Sequence, residues 1–429
     1  QWQDDRPACG RTGAAADCFA AEMRTGRPEE VLEWLKPGQR VYFQGGPGEC
    51  GVFRNLLEKH SERAAGVELW SCFVPGINTF DYGALTGGPS FVTFMASPAL
   101  EASIASGRTT LRAMPYSQIG ELLERTEFDL AILHAAMPDE NGRCSFGVAA
   151  DAPGIAARRA AKRVVFLNRQ MPAIADAVSL GVGEIDLGVL IDAPLLSAED
   201  RRETSAPLSA IADRAAGLIA DGATIQSGIG EAPGAVVAAL KERRRLKVHS
   251  GIITPEYRLL AEASALDANA RHVAGIAWGG RDFYDWLGRE RMFAFRSIHE
   301  THGAAELAGI PNFVSVGSAI EVDVFGNINL EWIGSRRVSS VGGAPDYVRG
   351  ARGSPGGRSI IALPSTGRGG NSRIVARLER VSIPSELADA VVTEHGVAEL
   401  RGLPPEKRAA VMLAIAAPAH RALLAATLR

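Results

Sequence analysis

The chain is short of cysteine: its 429 residues include five (Cys9, Cys18, Cys50, Cys72 and Cys144), scattered without a CxxC pair or zinc-type spacing. A disulfide framework and a cysteine-held zinc are thereby excluded, and free thiols in a reducing cytoplasm are expected. A surplus of charge is missing too. With 46 Lys and Arg against 49 Asp and Glu, the formal net charge is −3 at pH 7. The pI near 6.3 gives no general attraction to nucleic-acid backbones or anionic lipid. The densest basic run, KERRR at 241–245, falls where a helix would end and would complement its dipole; a phosphate contact is the sharper alternative. No hydrophobic run can span a bilayer, since the longest apolar tract, AAVMLAIAAPAH at 409–420, is broken by Pro418 and His420. No signal-peptide pattern opens the chain. The expectation is a cytoplasmic protein with no nucleic-acid or membrane partner.

What is present is the composition of an α/β protein rich in tight connections: 46% hydrophobic, 22% charged, Gly 47 and Pro 23. The length suits two domains. Strand-like runs RVYF (40–43), VELWSCF (67–73), DLAILHAA (129–136) and RVVFLN (163–168) alternate with the helical patterns VFRNLLEKH (52–60) and SQIGELLER (117–125). Such alternation implies a largely parallel sheet covered on both faces. The proline- and charge-rich LIDAPLLSAEDRRETSAP (190–207) interrupts this rhythm, so one α/β domain is expected over 1–195 and a second over 206–429. Beyond the break, Leu208, Ile211, Ala215, Leu218 and Ile219 mark a helix face, with Pro207 in its first turn and Gly222 as its stop. An internal echo supports two similar halves. FQGGPGECGVFRNLL (43–57) and IQSGIGEAPGAVVAAL (225–240) match Gln44 with Gln226, Gly46 with Gly228, Gly48 with Gly230 and Glu49 with Glu231.

GIGEAPG (228–234) lies between a strand and a helix, where backbone amides and a helix N-terminus could hold an anion or a developing oxyanion; a plain tight turn is the alternative. Its third glycine is one position late for the dinucleotide fingerprint, and no P-loop lysine follows. HETH (299–302) has i, i+3 spacing and no third ligand, so no metal is expected. No G-x-S-x-G elbow exists, and Cys144 reads as a packing residue more readily than a nucleophile. Two carboxylates are candidate bases. Glu231 follows the glycine loop directly, although its counterpart Glu49 suggests an architectural hydrogen bond instead. Glu321 alternates with apolar neighbours on the strand of SAIEVDVFGNINLE (318–331), where a carboxylate needs a partner or a chemical role.

MPDENGRCSFGV (137–148), GATIQSGIGEAPGAVV (222–237), SAIEVDVFGNINLEWIG (318–334), VGGAPDYVRGA (341–351), GGRSIIALPST (356–366) and VVTEHGVAELRG (391–402), taken together, resemble the acetyl-CoA hydrolase/transferase family, with its 4-hydroxybutyrate and butyrate:acetate CoA-transferases. The resemblance runs over roughly residues 35 to 425. It implies tandem CoA-transferase-type domains with an acyl-CoA thioester in the cleft between them, coenzyme A being a substrate and no cofactor tightly bound. It implies a glutamate nucleophile in a His-Ser/Thr-Glu motif on the strand after the glycine-loop helix. His249 and Ser250 match that motif, but Gly251 stands at the glutamate position. Gln226, Gly228, Ile229 and Gly230 match the loop whose amides face the thioester carbonyl, Asn329 a polar residue near the thioester, and Gly342 with Gly343 a glycine turn that admits the coenzyme A arm.

Without the glutamate, ping-pong transfer through a glutamyl intermediate is not expected. One reading is an enzyme in which water or a small carboxylate attacks the polarised thioester directly, with Glu321 or Glu231 as base. Gly251 would then leave room for a bulkier acyl group or acceptor. The other reading is a catalytically degenerate CoA-binding or regulatory subunit. A homodimer is the expected assembly.

Overall fold

A computed structural model describes residues 23–198 and 205–427. Cys9 and Cys18 fall outside the described residues, as do residues 199–204 of the expected interdomain break.

The strand and helix patterns build two eight-stranded sheets, the first from residues 25–191 and the second from 224–399. Across the first, the strands run Thr25–Gly26, Leu187–Ile191, Ala160–Asn168, Phe128–Ala136, Arg40–Phe43, Glu68–Trp70, Ser90–Thr93 and Thr109–Leu111. Every neighbouring pair is parallel. Across the second they run Phe293–Phe295, His272–Ala277, Lys247–Ile253, Thr224–Ser227, Phe313–Gly317, Arg358–Ala362, Ala390–Thr393 and Gly396–Glu399. Only the last pair is antiparallel. A parallel sheet needs cover on both faces, and helices such as Gly51–Lys59, which buries Phe53 and Leu57 one turn apart, supply it.

The two sheets share one topological device. In the first, after the edge strand Thr25–Gly26, the winding starts at Arg40–Phe43, runs outward through 68–70, 90–93 and 109–111, then returns to Phe128–Ala136 on the other side of its starting strand. In the second, Thr224–Ser227 is the start and Phe313–Gly317 the return. Each glycine turn of the internal echo therefore sits at the carboxyl end of a starting strand, at the reversal of winding, where open α/β sheets form a crevice for ligands.

The helix after the break spans Ala206–Gly217 and is shorter than its apolar pattern suggests. Leu218 is its C-cap, and Ile219 buries itself in the turn that leads to Thr224. Glu321 lies on the strand Glu321–Asp323, which belongs to a small three-stranded sheet with Ile328–Asn329 and Ile374–Val375, apart from the main sheet. The halves are docked by direct bonds. Ser117 donates from its hydroxyl and amide to Asp346 (2.6 and 3.0 Å), the Tyr116 amide to the Gly342 carbonyl (3.0 Å), and the Ala96 amide to Ser340 Oγ (3.0 Å). No helix among the described residues is long and apolar enough to cross a membrane.

Candidate active site

The strand Thr224–Ser227 pairs with Phe313–Gly317 and passes into the loop 228–230, after which the helix Glu231–Ala239 begins. Sheet pairing continues one residue past the strand: the Gly228 amide donates to the Val316 carbonyl at 2.8 Å. Gly228 was expected to offer its amide to a ligand, and that donor is already engaged. The Ile229 and Gly230 amides have no acceptor among the described residues, and they open the N-terminal turn of the helix. Gly230 has φ +135°, a backbone conformation that a side chain would strain. These two amides and the helix dipole therefore make the anion-stabilising end of the loop. Beside them, Gln226 Oε1 accepts from Ser315 Oγ (2.8 Å), which orients the amide and leaves Nε2 without a partner among the described residues. The matching Gln44 in the other half is bonded at both ends, to the Ala149 carbonyl and the His134 amide.

The loop borders a cavity of about 360 Å³ whose walls come from both halves: Val74, Met95, Tyr116 and Asp151 from the first, and Gln226, Gly228, Ile229, Gly251, His302, Gly342, Gly343 and Tyr347 among those from the second. Ile229, 49% exposed, forms part of its lip. No lysine or arginine among the described residues lines it.

At Gly251 the expected room for an acyl group is filled by protein. A Cβ there would start 2.6 Å from His302 Cε1, 2.8 Å from His302 Nε2 and 2.6 Å from the Tyr347 hydroxyl. Gly343 meets the same imidazole from the other side, with 2.5 Å to Nε2. Both glycines are thus required by close approach. The His302 and Tyr347 rings lie 4.6 Å apart, and the Tyr116 ring packs against His302 at 4.7 Å, tilted by 42°. Thr301 Oγ1 is within reach of the Ser297 and Ile298 carbonyls (3.1 and 3.5 Å), which can only accept, so its proton is directed there and it accepts from His302 Nδ1–H at 2.8 Å. That tautomer leaves Nε2 as a lone pair. Burial, with His249 nearby, holds the imidazole down to about 3, so it is uncharged at neutral pH. The Tyr347 hydroxyl is buried with no hydrogen-bond partner of good geometry, and desolvation pushes its pKa well above the usual phenol value.

Asp151 is the one carboxyl group among the lining residues. It accepts from the Tyr116 hydroxyl (2.6 Å) and the Ala152 amide (2.8 Å), and burial raises its pKa against the pull of those bonds.

The residues singled out from the sequence divide in two. Gln226, Gly228, Ile229, Gly251, Gly342 and Gly343 come together at the cavity, with Gly230 adjoining it. Glu231, Glu321, Asn329, His249 and Ser250 are absent from its walls. Glu231 is exposed at the start of its helix, whereas its counterpart Glu49 is buried and bonded to Asn78 and Tyr82. Glu321 accepts from Asn329 at 3.4 Å. Asn329 itself braces a turn, giving Nδ2 to the Trp332 carbonyl and receiving the Glu331 and Trp332 amides on Oδ1. His249 Nε2 donates to the Glu300 carbonyl (3.1 Å), and Ser250 Oγ to the Ile252 carbonyl (2.6 Å). Of the HETH pair, His299 faces Glu124 while His302 turns into the cavity, and no group of three or more metal-ligating side chains occurs among the described residues. The Cys144 thiol is buried and pushed up to about 12, which suits packing rather than attack.

Sequence reasoning missed Tyr116, Asp151, His302 and Tyr347. Tyr347 was within reach, since it lies four residues past Gly343 in VGGAPDYVRGA, where only the glycines drew notice. No local signal joins Tyr116 to Asp151.

Similarity to known proteins is consistent with this geometry. Residues 22–187 match the acetyl-CoA hydrolase/transferase N-terminal domain and residues 279–428 its C-terminal domain; the glycine loop and Gly251 lie in between. The 4-hydroxybutyrate coenzyme A transferase of Clostridium kluyveri is 30% identical over 405 residues, 92% of this chain and 94% of that protein. An acetyl-CoA hydrolase of Candida albicans is 31% identical over 199 residues, covering 44% of this chain and 37% of its own length. The crystal structure of RipA from Yersinia pestis superimposes with a TM-score of 0.88 at 26% identity, covering 96% of this chain and 98% of that one. Paired parallel sheets, a glycine loop at each winding reversal and sequence similarity along nearly the whole chain agree, and the protein belongs to the acetyl-CoA hydrolase/transferase family, a CoA-transferase or acyl-CoA hydrolase-like enzyme.

Proposed function

We propose that the cleft between the two halves, each sheet with its helices forming one domain, binds a coenzyme A thioester, and that water or a small carboxylate attacks its carbonyl directly, without a glutamyl-CoA intermediate. The C–S bond breaks to release coenzyme A; with a carboxylate the product is a mixed anhydride, whose acceptor carbonyl the released thiolate then attacks to form the new thioester. The observation that carries this reading is the filling of the Gly251 side-chain position by His302 and Tyr347. The space that a glutamate side chain would need there is taken by these two residues. The thioester oxygen would accept from the Ile229 and Gly230 amides and from Gln226 Nε2, donors aimed at charge that grows in the transition state. Water or a small carboxylate would approach from the side of Tyr116 and Tyr347. Binding of the coenzyme A arm along the Gly342–Gly343 turn would hold the thioester in line.

Incubating the protein with acyl-CoA and a panel of carboxylates, while following free thiol and new thioesters by mass spectrometry, tests the proposal. Turnover with no protein-CoA adduct supports direct attack. An adduct sensitive to hydroxylamine or borohydride on Asp151, the one carboxyl group lining the cavity, would show a covalent route and overturn it. Binding of coenzyme A without turnover of any thioester would favour a regulatory subunit.

A further inference from the structure

Two polar groups of the cavity wall at Gly251 have unmet hydrogen-bonding capacity. The Tyr347 hydroxyl, on a residue that is 3% exposed, lies near the Gly251 backbone amide but gives its own proton to no acceptor among the described residues, and an unmet buried donor is unfavourable unless a ligand satisfies it. His302 Nε2 has no partner among the described residues, and the Thr301 bond at Nδ1 leaves it a lone pair. Both stand against Gly251, 2.6 and 2.8 Å from where its Cβ would be, and a ligand atom would meet them from the cavity side of that position. One donates and the other accepts. An uncharged hydroxyl complements that pair, because it accepts from Tyr347 while donating to His302. A carboxylate does not: it cannot donate to Nε2, and no lysine or arginine among the described residues lines the cavity to offset its charge.

If the thioester carbonyl lies where the proposed function places it, the pair and the carbonyl share one cavity of about 360 Å³, which puts the pair a few bonds along the acyl chain. We propose that the Tyr347 hydroxyl and His302 Nε2 bind a hydroxyl on carbon 2 or carbon 3 of the acyl chain, so that the substrate class is a short, uncharged hydroxyacyl-CoA. Tyr116, packed at a tilt against His302 and tied to Asp151, holds the imidazole in place as a positioning residue. This inference rests on the cleft being the thioester site.

The test is a set of dissociation constants, measured by calorimetry on the full chain, for coenzyme A and for butyryl-, 2-hydroxybutyryl-, 3-hydroxybutyryl-, 4-hydroxybutyryl- and succinyl-CoA. The expected result is that a 2- or 3-hydroxy isomer binds tighter than butyryl-CoA by on the order of tenfold to a hundredfold, with 4-hydroxybutyryl- and succinyl-CoA no better than butyryl-CoA. In Tyr347→Phe, which keeps the ring and removes the hydroxyl, that ratio is expected to fall to near one. Equal binding of butyryl-CoA and every hydroxy isomer, with coenzyme A still bound, overturns the hydroxyl assignment and leaves the cleft reading intact. A ratio unchanged by Tyr347→Phe also overturns it, and failure of coenzyme A to bind removes both.

Discussion

Gly251 and His302 are in contact through the space a side chain would need: a Cβ at 251 would lie 2.6 Å from Cε1 of the imidazole. Two helical turns of sequence logic would never pair them, because His302 arrives on the separate helix Ile298–His302 behind the strand Lys247–Ile253.

That contact sets the first prediction. Gly251→Ala is expected to destabilise the protein by about 1–3 kcal/mol, the usual cost of forcing extra atoms into a packed interior. Gly251→Glu is expected to cost at least as much and to yield no covalent adduct. Urea denaturation midpoints measure the first effect and mass spectrometry the second. In a double-mutant cycle, His302→Ala should recover part of the loss in Gly251→Ala, since the residues share one space.

The loop offers a second prediction. Gly230→Ala meets a φ of +135° and must rotate the Ile229 and Gly230 amides out of line. Loss of a well-aimed oxyanion donor typically lowers rate by about 10²–10³, so kcat on the preferred thioester should drop by that order. Circular dichroism should remain that of the parent.

Acid sensitivity follows from the histidines. Burial holds His134 down to about 4 and His302 to about 3, and it lowers His249 and His272 as well. A histidine kept neutral in the fold contributes stability that is complete above its unfolded pKa near 6.5 and is lost as pH falls toward the folded value. Thermal midpoints should therefore decline steadily below pH 6.5, with protons taken up on unfolding. His302→Phe should make that decline shallower.

Asp389 gives the last prediction. It is fully buried and accepts from Arg352 (2.6 Å), from Arg401 (2.7 and 2.8 Å) and from the Ser359 amide (3.0 Å). Burial pushes its pKa up, but the bonds from Arg401, Ser359 and Arg352 together bring it below the ordinary carboxylate value. Its contribution is present above pH 3.8 and is lost as pH falls through the lowered folded value. Asp389→Asn is expected to destabilise by about 2–4 kcal/mol, less than a fully buried pair because both guanidinium groups are partly exposed. Chemical denaturation at pH 7 measures it.

Much of the fold was legible because its determinants are local. The runs at 40–43, 129–136 and 163–168 lie in strands, 52–59 and 117–125 lie in helices, and the paired glycine turns occupy equivalent places in the two sheets. The site was legible only in part. Gln226 to Gly230 and Gly342 with Gly343 follow from chain-local motifs, whereas Glu231 and Glu321 looked available as isolated carboxylates. Their directions depend on how the loop leaves the sheet and how the small sheet packs, which no spacing records.

The sequence by itself determined the alternation of strand and helix, the two glycine turns, and the lack of a glutamate at 251, because hydrophobic period and backbone permissiveness act within a few residues. Tertiary structure alone decided what stands in the vacant place. His302, Tyr347, Tyr116 and Asp151 come from four separate segments, and only the docking of two sheets converts them from ordinary buried side chains into one wall facing a common cavity.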